Sequence, residues 1–294
     1  MHRHTFLDYT LIVVLVIIGF ITVYPFWNVL MISLNNPVDT LQGGITLWPH
    51  KFTTDNYVFF FARPDLVDAF IISVSRTVLG TCASVLFCSA YAYGLSKSWL
   101  LGRKFFTIML LFTMYFSGGL IPTFLLILNI GLYQNFLVYI MLGLINSYYA
   151  IIMMSYFRTL PAELEESVRI DGGNDIMIFF RIIFPISMPV IASIALFNAV
   201  GQWNAWFDTM IYGGRKLKTL QMKLVEIIRD ANQARELMSS GSPIASALAN
   251  LGYKPNVESV KATAMMITAI PIVLIYPFLQ KYFVKGIMIG SLKG

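Results

Sequence analysis

Charge is what this sequence has least of. Of its 294 residues, 12% are Asp, Glu, Lys or Arg, about half the 25% of a soluble domain. That shortage excludes an ordinary soluble globule, a disordered chain and a nucleic-acid binder with a basic face. Histidine is scarce as well, with three residues and none beyond His50. No zincin pair and no nucleophile elbow can be found, which argues against a membrane enzyme. Cysteine is limited to Cys82 and Cys88. Six positions apart in one apolar run, they face different ways on a helix and read as small buried residues, not as a disulfide or a metal site.

Long uncharged runs fill the space. Residues 11–34, 105–157, 182–207 and 262–280 contain no Asp, Glu, Lys or Arg, and a bilayer span needs about 20 apolar residues. The chain reads as an all-α integral membrane protein, because backbone polar groups in lipid need partners within their own segment. The first run, near the N-terminus, is too long for a signal-peptide core and lacks a small-x-small cleavage site, so it is expected to be retained. Residues 105–157 exceed one helix, and the segment from Asn129 to Asn135 divides them. Six spans are expected, near 10–34, 68–95, 105–127, 136–157, 184–209 and 262–284.

Basic residues orient the chain. Lys97, Arg103 and Lys104 sit in one short loop; Arg158, Arg169 and Arg181 lie in segment 158–183; Lys281, Lys285 and Lys293 mark the tail. The loop 35–66 has only Lys51 and Arg63, and the turn at 129–135 has no basic residue. The positive-inside rule places both termini in the cytoplasm. The loop 210–260 carries seven Lys and Arg, but the rule weakens at that length. The net charge of +6 therefore needs no anionic partner. Within this second external loop, Leu220, Leu224, Ile227, Ile228, Ala231, Ala234 and Leu237 recur at helical spacing, an amphipathic helix that suits either the bilayer surface or a partner. Ser239 to Pro255 reads as a loop.

The segment from Leu160 to Pro189 is the most informative. Pro161 suits a first helical turn. Glu163, Glu165 and Glu166 follow, where the helix dipole favours anions. Asp171-Gly172-Gly173 ends that helix, since glycine accepts a left-handed cap. Asn174 or Asp175 can cap a second helix, on which Ile176, Phe179, Phe180 and Ile183 form an apolar stripe. Pro185 and Pro189 lead into the fifth span. Such an apolar face in a cytoplasmic loop needs a cover, although a plain connecting loop would also fit.

These residues resemble the EAA loop of permease subunits of ABC importers. Glu166-Ser167-Val168 stand at Glu-Ala-Ala, Gly172 follows three residues later, and Ile182-Ile183-Phe184-Pro185 close the motif after nine more. Ser167, Val168, Gly173 and Phe184 depart from the usual pattern. Ile170-Asp171-Gly172, Pro185 with Pro189, Pro49 with Asn56-Tyr57, and the tail from Phe283 to Gly294 look like the carbohydrate-type permeases of the maltose importer. Phe116-Ser117-Gly118-Gly119-Leu120-Ile121-Pro122 and Trp203-Asn204-Ala205-Trp206-Phe207 are similar to a subgroup for large or uronate-bearing oligosaccharides, such as aldouronate, rhamnogalacturonan and alginate fragments.

The resemblance implies a type I ABC importer permease fold with six transmembrane helices in one domain, residues 1–294, and a location in the bacterial cytoplasmic (inner) membrane. It implies a heterodimer with a second homologous permease, two copies of a cytoplasmic ATPase, and an external solute-binding protein. No G-x-x-x-x-G-K-[ST] loop occurs in the sequence, so ATP and Mg would belong to the ATPase and no cofactor to this chain. The ATPase-coupling residues implied are Glu163, Glu166, Ser167, Arg169, Asp171, Gly172 and Pro185. Glu166 would anchor the coupling helix, Gly172 would permit its sharp exit, and Pro185 would set the angle of the fifth span.

Other polar residues lie in or near the spans. Asn198, Trp203 and Asn204 suggest a substrate pathway in the fifth, since polar groups at depth mark routes; Trp203 and Trp206 equally suit an interfacial aromatic belt. Asn146 in the fourth span fits either a helix-to-helix hydrogen bond or a ligand contact. Arg76 could face the subunit interface or a wet cavity, where an anionic sugar would suit it. Gly118, Gly119 and Pro122 predict a break in the third span. An importer for another solute is the alternative within this class. An ion-coupled secondary transporter is the alternative outside it, with Asp68 and Asp208 as its carboxylates.

Overall fold

A computed structural model describes residues 6–40, 42–239 and 257–291. The ends of the N- and C-terminal segments and the loop expected from Ser239 to Pro255 fall wholly or largely outside them. The described residues are helical throughout, apart from turns and one isolated bridge between Asn35 and Phe52. Among them, Leu7–Ser33, Pro64–Ser96 and Glu258–Ile275 are long and apolar enough to cross a bilayer. Two further pairs of helices qualify if each bent pair counts as one span. Among the described residues the architecture is a multi-pass membrane-type helical one with three such helices, or up to five, where the sequence leads one to expect six.

Two compact units divide the chain. The first comprises residues 1–67 and 223–271. Its helix α1 (Phe6–Ser33) has 28 residues, about 42 Å at 1.5 Å per residue, and exceeds the roughly 30 Å hydrocarbon layer. Leu15, Val16, Phe20 and Ile21 are all exposed; an apolar helix of this kind needs lipid or protein around it. Past α1 the loop folds back through α2 (Pro37–Thr40) and α3 (Asp55–Phe61). Asn35, fully buried, organises the turn. Its Nδ2 donates to Asp39 Oδ2 at 3.0 Å, and its Oδ1 accepts the Lys51 backbone N–H at 2.8 Å. Asn56 Nδ2 donates to the carbonyls of Ser33 and Asn35, both at 2.9 Å, and Tyr57 shares a 2.7 Å hydroxyl contact with Ser33. Asn56-Tyr57 therefore works as a clasp that pins the loop to the end of α1.

The second unit comprises residues 68–222 and 272–294. Most of helix α4 (Pro64–Ser96) belongs to it. Helices α5 (Arg103–Tyr115) and α6 (Leu120–Asn129) meet at 116° across the Gly118-Gly119 break, where the glycines and Pro122 lead the sequence to expect one. The expected span at 136–157 is not one helix. It consists of α7 (Leu137–Met141) and α8 (Ser147–Phe157), and Asn146 caps α8 by accepting the Tyr149 N–H at 3.1 Å. The Asn146 side chain thus caps its own helix, while its backbone N–H donates to Cys88 Sγ of α4 at 3.2 Å. Nor is the stretch 184–209 a single helix. Helix α12 (Met188–Asn204) ends at Ala205, and α13 (Phe207–Tyr212) follows. Cys88, Ala92, Ala150, Met153, Ile178 and Ile191 join α4, α8 and α12 in the main core. Cys88 is buried as expected, but Cys82 is exposed; six positions on, it has turned to the other face of α4.

Two long helices remain. Helix α14 (Leu220–Ser239) carries buried Leu220 and Met222 near its start and exposed Arg229 and Asp230 farther on. Its Leu220 N–H donates to Ser73 Oγ at 2.8 Å. Helix α15 (Val257–Ser291) contains the expected sixth span.

Candidate functional site

The segment between α8 and α12 is built from short pieces. Helix α9 (Glu163–Ile170) has no buried residue. No side chain caps its start, and Glu163, Glu165 and Glu166 occupy the first turn, where they offset the free N–H groups. Gly172 closes the helix with φ of +81°, in the left-handed region that side chains other than glycine rarely enter. The Gly172 and Gly173 N–H groups donate back to Arg169 and Val168 carbonyls at 3.0 and 2.8 Å. A Cβ on Gly173 would lie 2.5 Å from Val168 Cγ1, so the departure from alanine there is required by the packing.

Asn174 accepts the Met177 N–H at 2.9 Å and starts α10 (Asp175–Ile178). A π turn, Phe179–Ile183, follows, then α11 (Phe184–Ile186), which holds Pro185. Proline has no N–H to donate to the preceding turn, and the wider turn absorbs the break, with Phe184 donating to the Phe179 carbonyl five residues back. From Asp175–Ile186 to Met188–Asn204 the chain bends by 81°.

Ion pairs brace this segment. Lys97, at the end of α4, pairs with Glu165, and its ammonium lies 4.2 Å over the Tyr93 ring. Arg169 pairs with Asp175 at 2.6 Å and lies over Trp99. Glu166 and Ser167 are exposed, as are Ile170 at 85% and Ile176 at 69%. An exposed face of charge and large apolar groups on a short braced helix is a ready surface for another protein. Sequence reasoning missed Lys97, Trp99 and the particular role of Glu165. A lysine 68 residues from its partner carries no local signal.

A second cluster lies within the same unit, around a cavity of about 250 Å³. Arg76 is buried. Its guanidinium pairs with Asp208, donates from Nε to Gln202 Oε1 at 2.8 Å and from Nη1 to Thr209 Oγ1 at 3.2 Å, and stacks on the Tyr139 ring at 4.6 Å. Its Nη1 also reaches the carbonyl of Ala205 at 3.5 Å, at the break between α12 and α13. Arg76 thus ties the interrupted helix to α4. Asp208, read as an ion-coupling carboxylate in one alternative, is the counter-charge in that tie. Gln202 is held between Gly80 and Gly143, where an added Cβ would come within 3.0 and 2.9 Å of its Nε2.

Of the expected pathway residues, Asn198, Asn146 and Arg76 line this cavity. Trp203 is buried edge-on against Phe70, whereas Trp206 is exposed. Asn204 is exposed and accepts from Gln221 Nε2 at 3.3 Å. The cavity therefore gathers three of the five. No cluster of metal-ligating residues occurs among the described residues.

Comparison with known proteins agrees with this architecture. The chain is 35% identical over 281 residues to the polygalacturonan/rhamnogalacturonan transport system permease protein YtcP of Bacillus subtilis, covering 95% of this chain and 96% of that one. It is 37% identical over 280 residues to protein LplC of the same organism, covering 94% and 91%. Its fold matches, with a TM-score of 0.83 and 27% identity, a chain in the crystal structure of a bacterial ABC transporter involved in the import of the acidic polysaccharide alginate, covering 96% of this chain and 100% of that one. The family described as binding-protein-dependent transport system inner membrane component matches residues 90–289, and the chain belongs to it.

Proposed function

We propose that this chain is one membrane-spanning subunit of an ATP-driven importer that carries oligosaccharides, uronate-containing ones included, into the cytoplasm by alternating access. The observation that carries the reading is the exposed helix α9 with its left-handed exit at Gly172, inside the region matched by the family. Relatives named for polygalacturonan, rhamnogalacturonan and alginate support a sugar cargo. The family description itself names a binding protein, which would deliver the cargo from outside.

In this reading α9 seats in a cleft of a cytoplasmic ATPase. Glu163, Glu166 and Ser167 face it, and the exposed Ile170 adds apolar contact. Two ATPases and a second, similar permease complete the importer; ATP and Mg are held by the ATPases. Closure of the ATPases moves α9, the Lys97–Glu165 pair carries the motion to the end of α4, the Arg169–Asp175 pair braces α9 on α10, and the bend around Pro185 passes the motion to α12. Asp171 holds the turn. Both termini lie in the cytoplasm.

Replacing Gly172 tests this account. Glutamate there would need the left-handed conformation, at a cost of about 1 kcal/mol or more, and would add charge at the docking turn. Gly172→Glu is expected to abolish sugar uptake while the chain still inserts in the membrane at its normal level. Uptake at the wild-type rate would contradict the coupling role.

A further inference from the structure

Trp48 lies in an irregular stretch of the loop after α1, yet the helix holds that stretch by its backbone. Three consecutive carbonyls are taken by two α1 side chains. Trp27 Nε1 donates to the carbonyl of Leu47 at 2.9 Å. Asn28 Nδ2 donates to those of Ile45 at 2.9 Å and Thr46 at 3.1 Å. The Trp48 ring stands edge-on to that of Trp27, with centroids 6.1 Å apart. The loop therefore turns back along the helix. Its contact at Asn28 lies five positions before Ser33, the last residue of α1, about 7.5 Å along the axis.

Depth follows from the helix. The charge-free run begins at Leu11, and about 20 residues from there cross the hydrocarbon layer. The far boundary falls near Leu30, within one turn of Trp27 and Asn28. Residues 45–48 thus lie at the level where acyl chains meet headgroups. In water, solvent would meet the carbonyls of an irregular segment. At the edge of lipid, protein must meet them, as the α1 side chains do here. The outward side chains agree. Leu47 is 49% exposed and Trp48 71%. Trp27 shares its face of α1 with Val23 and Tyr24, four and three positions earlier and also exposed. Trp48 therefore continues an apolar flank of a helix that crosses the bilayer. An indole, apolar in body with one N–H, suits that boundary.

We propose that residues 45–48 form a lipid-contacting surface, with the Trp48 indole seated between the headgroups and upper acyl chains of phospholipid at the C-terminal end of α1. The hydrogen bonds from Trp27 and Asn28 hold the stretch at that depth, and the loop in turn fixes how far α1 sinks into the bilayer. The proposal needs only that α1 spans the membrane and stands apart from the nature of the cargo.

The test uses the assembled importer in phosphatidylcholine nanodiscs. The lipid carries bromine, a fluorescence quencher, either near the top of its acyl chains or near their ends. The chain has five tryptophans, so the signal of Trp48 is taken as the difference between wild type and Trp48→Phe; Trp48→Tyr gives the same subtraction should Trp48→Phe not insert. Interfacial groups sit about 5–10 Å into the boundary, so the shallow bromines are expected to quench this signal at least about twofold more than the deep ones. Asn28→Leu, measured with the same subtraction, is expected to lose that quenching and to gain quenching by aqueous iodide. Quenching of wild-type Trp48 by iodide alone would put the loop in water. Quenching by neither lipid nor iodide would put it under another protein. Stronger quenching by the deep bromines would put it in the hydrocarbon. Each of these overturns the proposal, and an unchanged response in Asn28→Leu overturns the role given to the hydrogen bonds.

Discussion

Arg76 and Asp208 stand 132 positions apart in the sequence, yet each is the reason the other can be buried. Removing one partner of such a pair strands a charge and costs about 3–5 kcal/mol, whereas replacing both with apolar groups costs far less. Arg76→Met alone is expected to lower the thermal midpoint of the detergent-solubilised protein sharply, and Arg76→Met with Asp208→Leu to restore most of it. Equal losses in both variants would show that the pair does not hold α12 and α13 to α4. Asp39 makes a different point outside the membrane segments. Its carboxyl is held below the ordinary range, first by the Asn35 hydrogen bond and further by the nearby His50 and Lys51. A carboxyl shifted downward stabilises the fold above its ordinary value of about 3.9, and that contribution is lost as pH falls through the shifted one. Amide exchange in residues 35–57, corrected for its intrinsic pH dependence, is expected to speed up between about pH 6 and about pH 3. Asp39→Asn should flatten that response; an identical response in the variant would remove Asp39 from the account.

At the scale of elements, α9 is eight residues long, too short to persist in water without support. Its supports differ in kind. The Lys97–Glu165 side chains are 13% and 17% exposed, and those of Arg169–Asp175 44% and 46%. Exposed pairs contribute about 0–1 kcal/mol, so in the proposed mechanism the first pair is the expected mechanical link. Lys97→Met is expected to lower transport per ATP hydrolysed at least about fivefold, the low end of a typical coupling free energy. Asp175→Asn should change it by less than about threefold. The reverse order would place the link at Arg169. This element was legible from the sequence in outline, because proline, glutamates, glycines and asparagine are local signals for where a helix begins and ends. The π turn and the ion pairs were not, since they depend on what packs against the segment. The same holds for the fourth expected span. A charge-free run marks apolar surroundings but says nothing of continuity; the break before Asn146 is set by Gly143 making room for Gln202 and by the cap that Asn146 offers α8.

For the whole molecule, low charge and long apolar runs made the membrane class plain, and the motif from Glu166 to Pro185 pointed to the family that residues 90–289 match. The polar cavity was half legible: Asn198 and Arg76 stand out as polar groups in apolar runs, but their partners are distant in sequence. Helix α9 is short, has no buried residue and exposes Ile170 beside Glu166 and Ser167, which makes it the element the proposed assembly turns on. The most direct measurement is a tagged purification of the full chain from mild detergent, with co-purifying proteins identified and ATP hydrolysis assayed. The account predicts an ATPase and a second permease in the wild-type sample, and loss of the ATPase but retention of the second permease with Gly172→Glu. A wild-type chain recovered folded, alone and active in proton-coupled flux would contradict it.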